Sequence, residues 1–392
     1  MSELQRLITD LCPTGVPRVR IDDLIAYEQP TKYLVASKSY DDSYSTPVLT
    51  AGQSFLLGYT NEEHGKYSAS IESPVIIFDD FTTAYKWVDF EFKVKSSAMK
   101  MLTLKPGAPI TLRYFWYALS TIQIDTSEHA RYWISKISNL EIPLPPLEIQ
   151  SEIVRILDTF IKLDAELDAE LETRIKQNDY YRSILLDYDE ECTHKREERY
   201  QITEVFQIRN GYTPSKAKPE YWDNGTIPWI RLEDIRTFGR LLDRATQYID
   251  KSGLRPSGAF QANSIIISTL ATIGEHALVT VPFVANQQIT ILTIKQEFTK
   301  TLDPKFAFYY CFNLAEYCRA HTSTSGFASV NMRDFKKFTF PIPSIQVQFE
   351  VVRILDSFSD LIAELKEELE ARRQQYEYFR SKLLSFNELE VA

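Results

Sequence analysis

The chain has 392 residues, 44% of them hydrophobic and 25% charged, and its 44 basic and 54 acidic residues give a net charge of −10. This length and apolar content exclude a disordered chain and are sufficient for two or more hydrophobic cores. The net charge alone argues against a nucleic-acid-binding protein, but a total does not show where along the chain the charges lie.

The sequence does not predict a secreted or membrane protein. No apolar run approaches the roughly 20 residues that span a bilayer, and the segment MSELQRLITDLCP lacks the basic and apolar regions of a signal peptide. The cysteines fit neither a disulfide framework nor a CxxC metal site, and Cys311 and Cys318 share an apolar helical stretch where core packing is expected. We therefore expect a cytoplasmic protein with reduced thiols at Cys12, Cys192, Cys311 and Cys318.

The first half of the chain predicts a strand-rich globular segment followed by a long helix. SPVIIFDDF (73–81) has the apolar run and flanking turn residues of a buried strand, and ITLRYFWYALS (110–120) is an aromatic helical stretch. Prolines at 143, 145 and 146 then mark an extended lead-in. Apolar residues from Ile149 to Leu171 recur at steps of three and four, which predicts a helix with one apolar stripe.

The second half repeats this order of elements. A buried strand is expected at NSIIISTL (263–270), an aromatic helix at KFAFYYCFNLAEYCR (305–319), and a proline lead-in at 341–343. Residues 143–186 align without gaps on residues 341–384, at an offset of 198, with 24 of 44 positions identical. The chain is therefore an internal duplication, with globular segments at 1–142 and 191–340 and helical segments at 143–190 and 341–392.

Each predicted helix needs a partner for its stripe. About 40 residues at 1.5 Å per residue form a rod of roughly 60 Å. We favour pairing with the other copy, as an antiparallel intramolecular coiled coil with pseudo-twofold symmetry. A homodimeric coiled coil, or two helices packed on their own globular segments, are the alternatives. The predicted fold class is α+β, with two strand-rich domains joined by two long helices.

The acidic charge belongs to the helical segments. Residues 141–198 carry 7 basic and 16 acidic residues (net −9), and residues 341–392 carry 6 and 10 (net −4). Residues 1–140 carry 14 and 16 (net −2), and residues 199–340 carry 17 and 12 (net +5). The helical segments thus sum to −13 and the globular segments to +3, so the net charge does not exclude DNA binding by the globular segments.

Both globular segments contain clusters of basic, polar and aromatic residues. They are Lys86-Trp87 and the run from 93 to 100 in the first segment, and the run from 209 to 216 and Asn286-Gln287-Gln288 in the second. Lys and Arg contact phosphates, whereas Asn, Gln, Arg, Ser and Thr hydrogen-bond to base edges. An ordinary solvated surface with some core aromatics explains these clusters at least as well when they are considered alone.

Signatures of catalysis are weak. GYTNEEHGK (58–66) has six residues between its glycines where a P-loop has four, and the five histidines lack metal-ligand spacing. Asp79 and Asp80 followed by Glu91 and Lys93 could hold Mg²⁺ for phosphodiester cleavage. The alternation in VDFEFKVK instead places Glu91 and Lys93 on the outward face of one strand, and we favour that interpretation. No glycine-rich AdoMet loop is evident, so the chain is not expected to methylate DNA unaided.

The pattern as a whole resembles the specificity subunits of type I DNA restriction–modification enzymes. The strongest part is the duplicated lead-in, PLPPLEIQ…EIVRILD and PIPSIQVQ…EVVRILD, which resembles the conserved regions of that family. NGYTPSK, IPWIRLEDI, NSIIISTLATIG and ANQQITIL in the second segment, and TPVLTAGQSFLLGYT and PVIIFDDFTTAYKWVDFEFKVKSSAMKML in the first, resemble target recognition domains.

The resemblance implies a non-catalytic DNA-recognition subunit. Each globular segment would be a target recognition domain for one half of a bipartite site in double-stranded DNA, and the helices would set the spacer. Two modification subunits carrying AdoMet would dock on the helices, and restriction subunits using ATP and Mg²⁺ would join them. No cofactor or metal is expected in this chain.

The candidate DNA contacts lie in the clusters above and in the family-like phrases. In the first domain they are Gln53, Tyr59, Thr82, Thr83, Tyr85, Lys86, Lys95, Ser96, Ser97 and Lys100, and in the second Arg209, Asn210, Tyr212, Thr213, Lys216, Arg231, Ser268, Thr269, Asn286, Gln287 and Arg333. Asp79 and Asp80 are expected either to accept from cytosine amino groups or to cap a turn. Two other functions stay open from sequence, a coiled-coil scaffold that does not bind DNA and the magnesium-dependent nuclease.

Overall fold

The computed structural model describes residues 3–37, 39–52, 54–125, 130–188, 198–323 and 329–388. The chain divides into two compact units, Met1–Ala169 with Lys366–Ala392, and Glu170–Leu365. Each unit contains one globular segment and half of each long helix. The units therefore cut across the four segments that the sequence suggested.

The first globular segment is strand-rich, as predicted. Its elements are α1 (Glu3–Leu11), β1 (Arg18–Arg20), α2 (Ile21–Leu24), β2 (Ile25–Glu28), β3 (Thr46–Leu49), β4 (Leu56–Thr60), β5 (Val75–Asp79), β6 (Tyr85–Val88), β7 (Lys93–Val94), β8 (Met99–Leu104), α3 (Leu112–Leu119), α4 (Tyr132–Ser135) and β9 (Glu141–Pro143), followed by the long helix α5 (Leu147–Leu185). The predicted buried strand and aromatic helix are confirmed as β5 and α3.

One predicted strand is wrong. VDFEFKVK does not form a single strand, because β6 ends at Val88 and β7 begins at Lys93. Lys93 is buried and does not lie on an outward face, since its Nζ lies 3.0 Å from Glu62 Oε2 and donates to His64 O at 2.8 Å. The alternation of polar residues in this stretch arises from two short elements, each with its own surroundings.

The second globular segment repeats the order of the first. Its elements are β10 (Arg199–Gln201), α6 (Ile202–Val205), β11 (Phe206–Asn210), β12 (Ile227–Ile230), α7 (Leu232–Phe238), β13 (Leu241–Leu242), β14 (Tyr248–Ile249), β15 (Ser264–Ser268), β16 (His276–Val279), β17 (Val284–Ala285), β18 (Ile289–Ile294), α8 (Pro304–Ala320), β19 (Thr322–Ser323), β20 (Ser329–Val330), α9 (Met332–Phe335) and β21 (Thr339–Pro341), followed by α10 (Ile345–Leu383). The predicted strand and aromatic helix are confirmed as β15 and α8.

The two segments share a common sheet topology, to which the second segment adds the strand β13. The larger sheets have the strand orders β2-β8-β5-β6 and β11-β18-β15-β16-β13, with antiparallel neighbours except for the parallel pair β13–β16. The smaller sheets have the orders β4-β3-β7 and β14-β12-β17, and in both the central strand is antiparallel to one neighbour and parallel to the other. The duplication thus extends to globular segments whose sequences have diverged.

Each larger sheet is buried on both faces. In β5, Ile76 and Phe78 belong to the core around α3 and α5, while Val75 and Ile77 belong to a second core with the smaller sheet. Successive side chains of a strand point to opposite faces, so one apolar run supplies both cores. In the second unit β15 does the same.

The long helices pair antiparallel within each unit. Both span 39 residues, and their bounds differ by the 198-residue offset of the repeat. In the first unit Phe160 stacks on Phe379 with centroids 5.6 Å apart, and in the second Tyr181 stacks on Phe358 at 5.3 Å. Residues early in α5 therefore meet residues late in α10, and the reverse. This confirms the antiparallel intramolecular pairing.

One contact between the helices has no counterpart in the repeat. In the first unit Arg373 forms ion pairs with Asp164 at 2.9 Å and Asp168 at 2.6 Å. In the second copy of the helix, Ile362 and Lys366 are equivalent to Asp164 and Asp168. In the first copy, Ile175 is equivalent to Arg373.

None of the helices within the described residues is long and apolar enough to cross a membrane.

Candidate nucleic-acid interface

In both units the candidate residues concentrate at one end of the larger sheet. Because neighbouring strands are antiparallel, the C-terminal ends of β2 and β5 meet the N-terminal end of β8, with Glu28 opposite Met101 and Asp79 opposite Met99. In the second unit Asn210 at the end of β11 lies opposite Thr290 in β18. We call this end of each larger sheet, with its connecting loops, the polar sheet end.

The β5–β6 hairpin forms part of the polar sheet end of the first unit. Asp79 Oδ1 accepts from the backbone N–H of Phe81 at 3.0 Å and of Thr82 at 2.9 Å, and Thr83 takes a left-handed φ of 60°. Asp79 is therefore the cap of a turn, one of the two roles expected for it. The cap leaves the Thr82 side chain exposed at the tip.

The side chains that follow the hairpin differ in exposure. Tyr85 is half-buried against Trp116, with ring centroids 6.1 Å apart, and burial raises the pKa of its phenol to about 12. Lys86, the next residue of β6, lies opposite Ile77 of β5 and is also partly exposed. Lys86 thus presents a cation at this end of the sheet.

The β7–β8 loop contributes the second part of this surface. Ser96 Oγ accepts from Ala98 N at 3.1 Å, which shapes the loop, while Ser97 is exposed. Lys95 Nζ lies 5.7 Å from the centre of the Tyr40 ring. Tyr59 lies instead in the smaller sheet, in β4, and Gln53 falls outside the described residues.

The prediction that Lys100 contacts DNA is wrong. Its side chain is fully buried, with Nζ 3.0 Å from Asp80 Oδ2 and 3.3 Å from Gln29 Oε1. Asp80 is buried as well, and its Oδ1 accepts from Trp133 N at 2.8 Å. A cytosine-reading role for Asp80 is therefore wrong too. Burying both charges is tolerable only because each is paired and hydrogen-bonded.

In the second unit the structure brings several candidates together. Thr213 Oγ1 donates to Gln287 Oε1 at 2.6 Å, and Asn286 Oδ1 accepts from Gln288 N at 3.1 Å. Asn286 N also donates to Ile230 O, which places the loop beside Arg231. The segment after β11 and the β17–β18 turn thus form one polar surface.

The charged candidates of the second unit are partly or fully exposed. Arg209 donates to Ser257 Oγ at 2.7 Å and stacks on Phe260, and Arg231 lies 3.4 Å from Glu233. Lys216 and Arg333 are exposed. These four residues therefore present positive charge on the surface of this segment.

Three candidates of the second unit are wrong because they are buried. Tyr212 packs in the core with Arg255 stacked on its ring at 4.2 Å. Ser268 is fully buried, and its hydroxyl donates to Leu270 O at 2.8 Å. Thr269 is 8% exposed and hydrogen-bonds with Thr290 at 2.9 Å.

The residues of the nuclease hypothesis do not form a site. Glu91 lies 3.5 Å from Lys66, while Lys93 is buried against Glu62 and Asp80 against Lys100. Within the described ranges no group of three or more His, Cys, Asp or Glu could hold a metal ion. The arrangement therefore offers no carboxylate cluster to activate water.

The helices carry a second repeated surface. Tyr180 and Tyr378 occupy equivalent positions of the repeat and are 61% and 59% exposed. Leu163 and Leu361 are also equivalent, and they are 39% and 36% exposed. The two helices therefore expose apolar side chains at the same positions of the repeat.

Several of these residues were missed by sequence reasoning. The places of Gln29 and Thr290 beside the candidate residues could have been found only from strand register. Gln29 lies just beyond the four-residue strand β2 and belongs to no sequence motif. The exposed pair Tyr180 and Tyr378 did have a signal, since both fall at identical positions in the aligned repeat.

Comparison with known proteins gives consistent findings. The model of the type I restriction modification DNA specificity domain matches residues 13–177 and 195–371. The EcoR124I/EcoR124II specificity subunit of Escherichia coli is 42% identical over 98% of both chains. The EcoprrI specificity subunit of Escherichia coli is 53% identical over 201 residues, which are 48% of this chain and 50% of that protein.

Solved structures resemble the chain in fold. The crystal structure of a type I restriction–modification S subunit from M. genitalium has a TM-score of 0.58 and 16% identity, and the match covers 94% of this chain and 96% of that one. A second structure comes from work on complex assembly and conformational transition of the type I restriction–modification system. It has a TM-score of 0.57 and 16% identity, and the match covers 95% of this chain and 97% of that one.

Proposed function

The chain belongs to the type I restriction–modification DNA specificity family and is the non-catalytic DNA-recognition subunit of such a system; we propose that each of its units reads one half of an asymmetric bipartite site in double-stranded DNA. The observation that carries this proposal is the polar sheet end, which recurs in both units on the same topology with different side chains. A shared scaffold with divergent contact residues is what two independent specificities require.

The similarity to the EcoprrI subunit supports independent halves. That match reaches 53% identity over only about half of each chain. A chain whose halves recognise DNA separately is free to share one half with a relative and diverge in the other. If the matched 201 residues coincide with one half of the chain, this match is the pattern expected under the proposal.

We further propose that α5 and α10 set the spacer between the half-sites. Each helix is continuous over 39 residues and contributes to both units. At 1.5 Å per residue, such a helix is about 60 Å long. A change of helix length between the units would then alter the spacer that the protein tolerates.

Two modification subunits are the proposed partners of the exposed helix positions. Because the same tyrosine and leucine positions are exposed in both copies, one kind of partner can bind twice. These subunits would bring AdoMet, and restriction subunits would bring ATP and Mg²⁺. Work on chromosomal DNA with these partners would place the chain in the cytoplasm.

Methylome sequencing tests the proposal most directly. The chain is co-expressed with its modification subunits in a host without other adenine methylation, and modified adenines are mapped. We expect one bipartite motif with a fixed spacer. The absence of any motif that depends on the chain would refute the proposal.

The scaffold hypothesis gives a different result in solution. Phosphate contacts release counterions, so specific binding to duplex DNA should weaken steeply as salt rises. A scaffold that does not recognise DNA would show neither specific affinity nor this slope. The measurement uses the complex with modification subunits, together with a duplex of scrambled sequence.

A further inference from the structure

A buried ion pair lies under an exposed amide at the polar sheet end of the first unit. Lys100 Nζ is 3.0 Å from Asp80 Oδ2 and donates to Gln29 Oε1 at 3.3 Å. Lys100 and Asp80 are fully buried, whereas Gln29 is exposed. The only surface group of this triad is therefore the amide.

The second unit has a neutral version of the same triad. Thr290 Oγ1 donates to Asn210 Oδ1 at 3.2 Å and hydrogen-bonds with Thr269 Oγ1 at 2.9 Å. Thr290 and Thr269 are buried, and Asn210 is exposed. Once more two buried polar side chains support one exposed amide.

Strand register shows that the two amide positions are equivalent. Asn210 lies opposite Thr290 in the β11–β18 pair. In the β2–β8 pair, Glu28 lies opposite Met101, so the next residue, Gln29, faces Lys100.

The third position of each triad is equivalent as well. Asp80 is the residue after β5, and Thr269 is the residue after β15. The backbone N–H of Asp80 donates to Ala98 O in the loop before β8, and that of Thr269 donates to Gln288 O in the loop before β18. The same three places in the sheet thus carry a triad of different chemistry in each unit.

We propose that Gln29 and Asn210 are equivalent base-reading residues and that the buried pair below each amide decides which amide group faces outwards. This inference rests on the proposed DNA-recognition function. Gln29 lies outside the clusters that the sequence indicated, and it enters because of its place in the triad.

The chemistry of Lys100 fixes the orientation of Gln29. An ammonium group donates hydrogen bonds and cannot accept them, so it holds the amide oxygen and turns the NH₂ group away. Gln29 then offers donors to base acceptors such as guanine N7 and O6 or thymine O4.

The hydroxyl of Thr290 imposes no such orientation. It can donate to the amide oxygen or accept from the amide nitrogen, with Thr269 serving as the other partner. Asn210 can therefore present either its amide oxygen or its NH₂ group to a base. The two units thus differ in how strictly the amide is oriented.

Selection from a randomised duplex library tests this inference. The library is incubated with the complex of the chain and its modification subunits, and the bound DNA is sequenced. The variants are Gln29→Ala, Gln29→Glu, Asn210→Ala and Lys100→Met. The matched controls are Gln207→Ala, at an exposed position of the same strand as Asn210, and Gln374→Ala, at an exposed position of α10.

Each variant has its own expected outcome. Gln29→Ala should lower the preference at one position of one half-site by between about fivefold and a hundredfold, and Asn210→Ala should do so in the other half-site only. Gln29→Glu presents acceptors alone, so the preference should move to cytosine or adenine, which offer amino groups. The control variants should keep every preference.

Lys100→Met tests the positioning role. It leaves Gln29 in place but frees its amide to rotate, so the same position should lose preference. Thermal unfolding of the variant complex is measured in parallel. If Lys100→Met does not fold, the base preference of Gln29→Glu still tests whether the NH₂ group of Gln29 faces outwards.

Two results would overturn the inference in distinguishable ways. If the parent complex enriches a bipartite site and Gln29→Ala and Asn210→Ala enrich it with unchanged preferences, the inference is wrong and the proposed function stands. If the parent complex itself enriches no sequence, the proposed function fails and the inference fails with it.

Discussion

Gln150 and Gln348, which lie 198 residues apart in sequence, are both fully buried and make the same three hydrogen bonds in the two units. Each amide oxygen accepts from the backbone N–H of the residue that caps the aromatic helix, Thr111 at 2.9 Å and Asp303 at 2.8 Å. Each amide nitrogen donates to two backbone carbonyls, one of them in the proline lead-in. The glutamine therefore fixes each long helix to its own globular segment.

Replacing either glutamine with leucine should destabilise the unit that contains it. The change leaves one buried N–H and two carbonyls without partners, and each unsatisfied group costs about 1–3 kcal/mol. We expect a loss of at least ~2 kcal/mol in the free energy of unfolding, measured by urea denaturation. The control Gln374→Leu lies at an exposed position of α10, and an equal loss there would contradict this role.

Because Lys100 and Asp80 form a buried ion pair, we expect substitutions at the two positions to have non-additive effects on the free energy of unfolding. Lys100→Met alone leaves a buried carboxylate without its cation, which should cost about 3–5 kcal/mol. The double change Lys100→Thr with Asp80→Thr copies the hydroxyl pair of the second unit and should cost less than Lys100→Met alone. Urea unfolding of Lys100→Thr, Asp80→Thr and the double variant measures the coupling energy between the two residues, and additive losses of stability would contradict the pairing.

His276 predicts a dependence of stability on pH. Its ring is fully buried against Phe308 and Phe312, and this burial lowers its pKa from 6.5 to about 3. The unfolded chain therefore binds a proton here that the folded chain does not. Stability should be fully present above pH 6.5 and fall by up to ~1.4 kcal/mol per pH unit as the pH drops toward 3.

The variant His276→Leu removes this titration. The pH dependence of the free energy of unfolding should become shallower between pH 6 and about 4. The exposed substitution Gln207→Leu, in the same unit, serves as the control. Identical pH profiles for the parent and His276→Leu would show that this ring makes no contribution.

Exchange of a recognition segment should change half of the DNA target. Replacing residues 18–140 with the corresponding segment of a relative keeps the second unit's polar sheet end and both long helices. Methylome sequencing should then show one new half-site, with the other half-site and the spacer unchanged. A simultaneous change of both half-sites would contradict independent units.

Lengthening a helix should lengthen the spacer. Four residues inserted near Leu167–Leu171 add about one turn, or roughly 6 Å, to α5 where it passes from one unit to the other. The spacer of the methylated motif should increase while both half-sites stay the same. The equivalent insertion near Leu365–Leu369 in α10 tests the same property. An unchanged spacer in either variant would refute the proposal that the helices set the spacer.

The sequence predicted the duplicated parts of the fold accurately because they are local. Strict steps of three and four indicated the two helices, and the 198-residue offset recurs in their bounds. The buried strand β5 was equally clear, since a short apolar run between turn residues is typical of a strand with both faces covered.

Individual DNA contacts were harder to predict because burial depends on pairing across strands. Residues 95–98, in the loop before β8, are all exposed or half-exposed, yet Lys100 lies only two residues further, faces Gln29 across the sheet and is a core residue. Ser268, at the end of β15, was misjudged for the same reason. Tyr212 lies in the loop after β11, and its burial depends on packing in the core of the second unit. A polar residue type says little about exposure until the strand register is known.

The ion pairs of Arg373 with Asp164 and Asp168 make α5 and α10 complementary to one another, and not equivalent, at this contact. If a chain consisting of the first half alone formed a dimer through its helix, Ile175 would stand where Arg373 stands, facing two carboxylates with no cation. A dimer of second halves would place Arg373 opposite Ile362 and Lys366. Pairing of α5 with α10 within one chain is therefore the arrangement that brings Arg373 to both carboxylates.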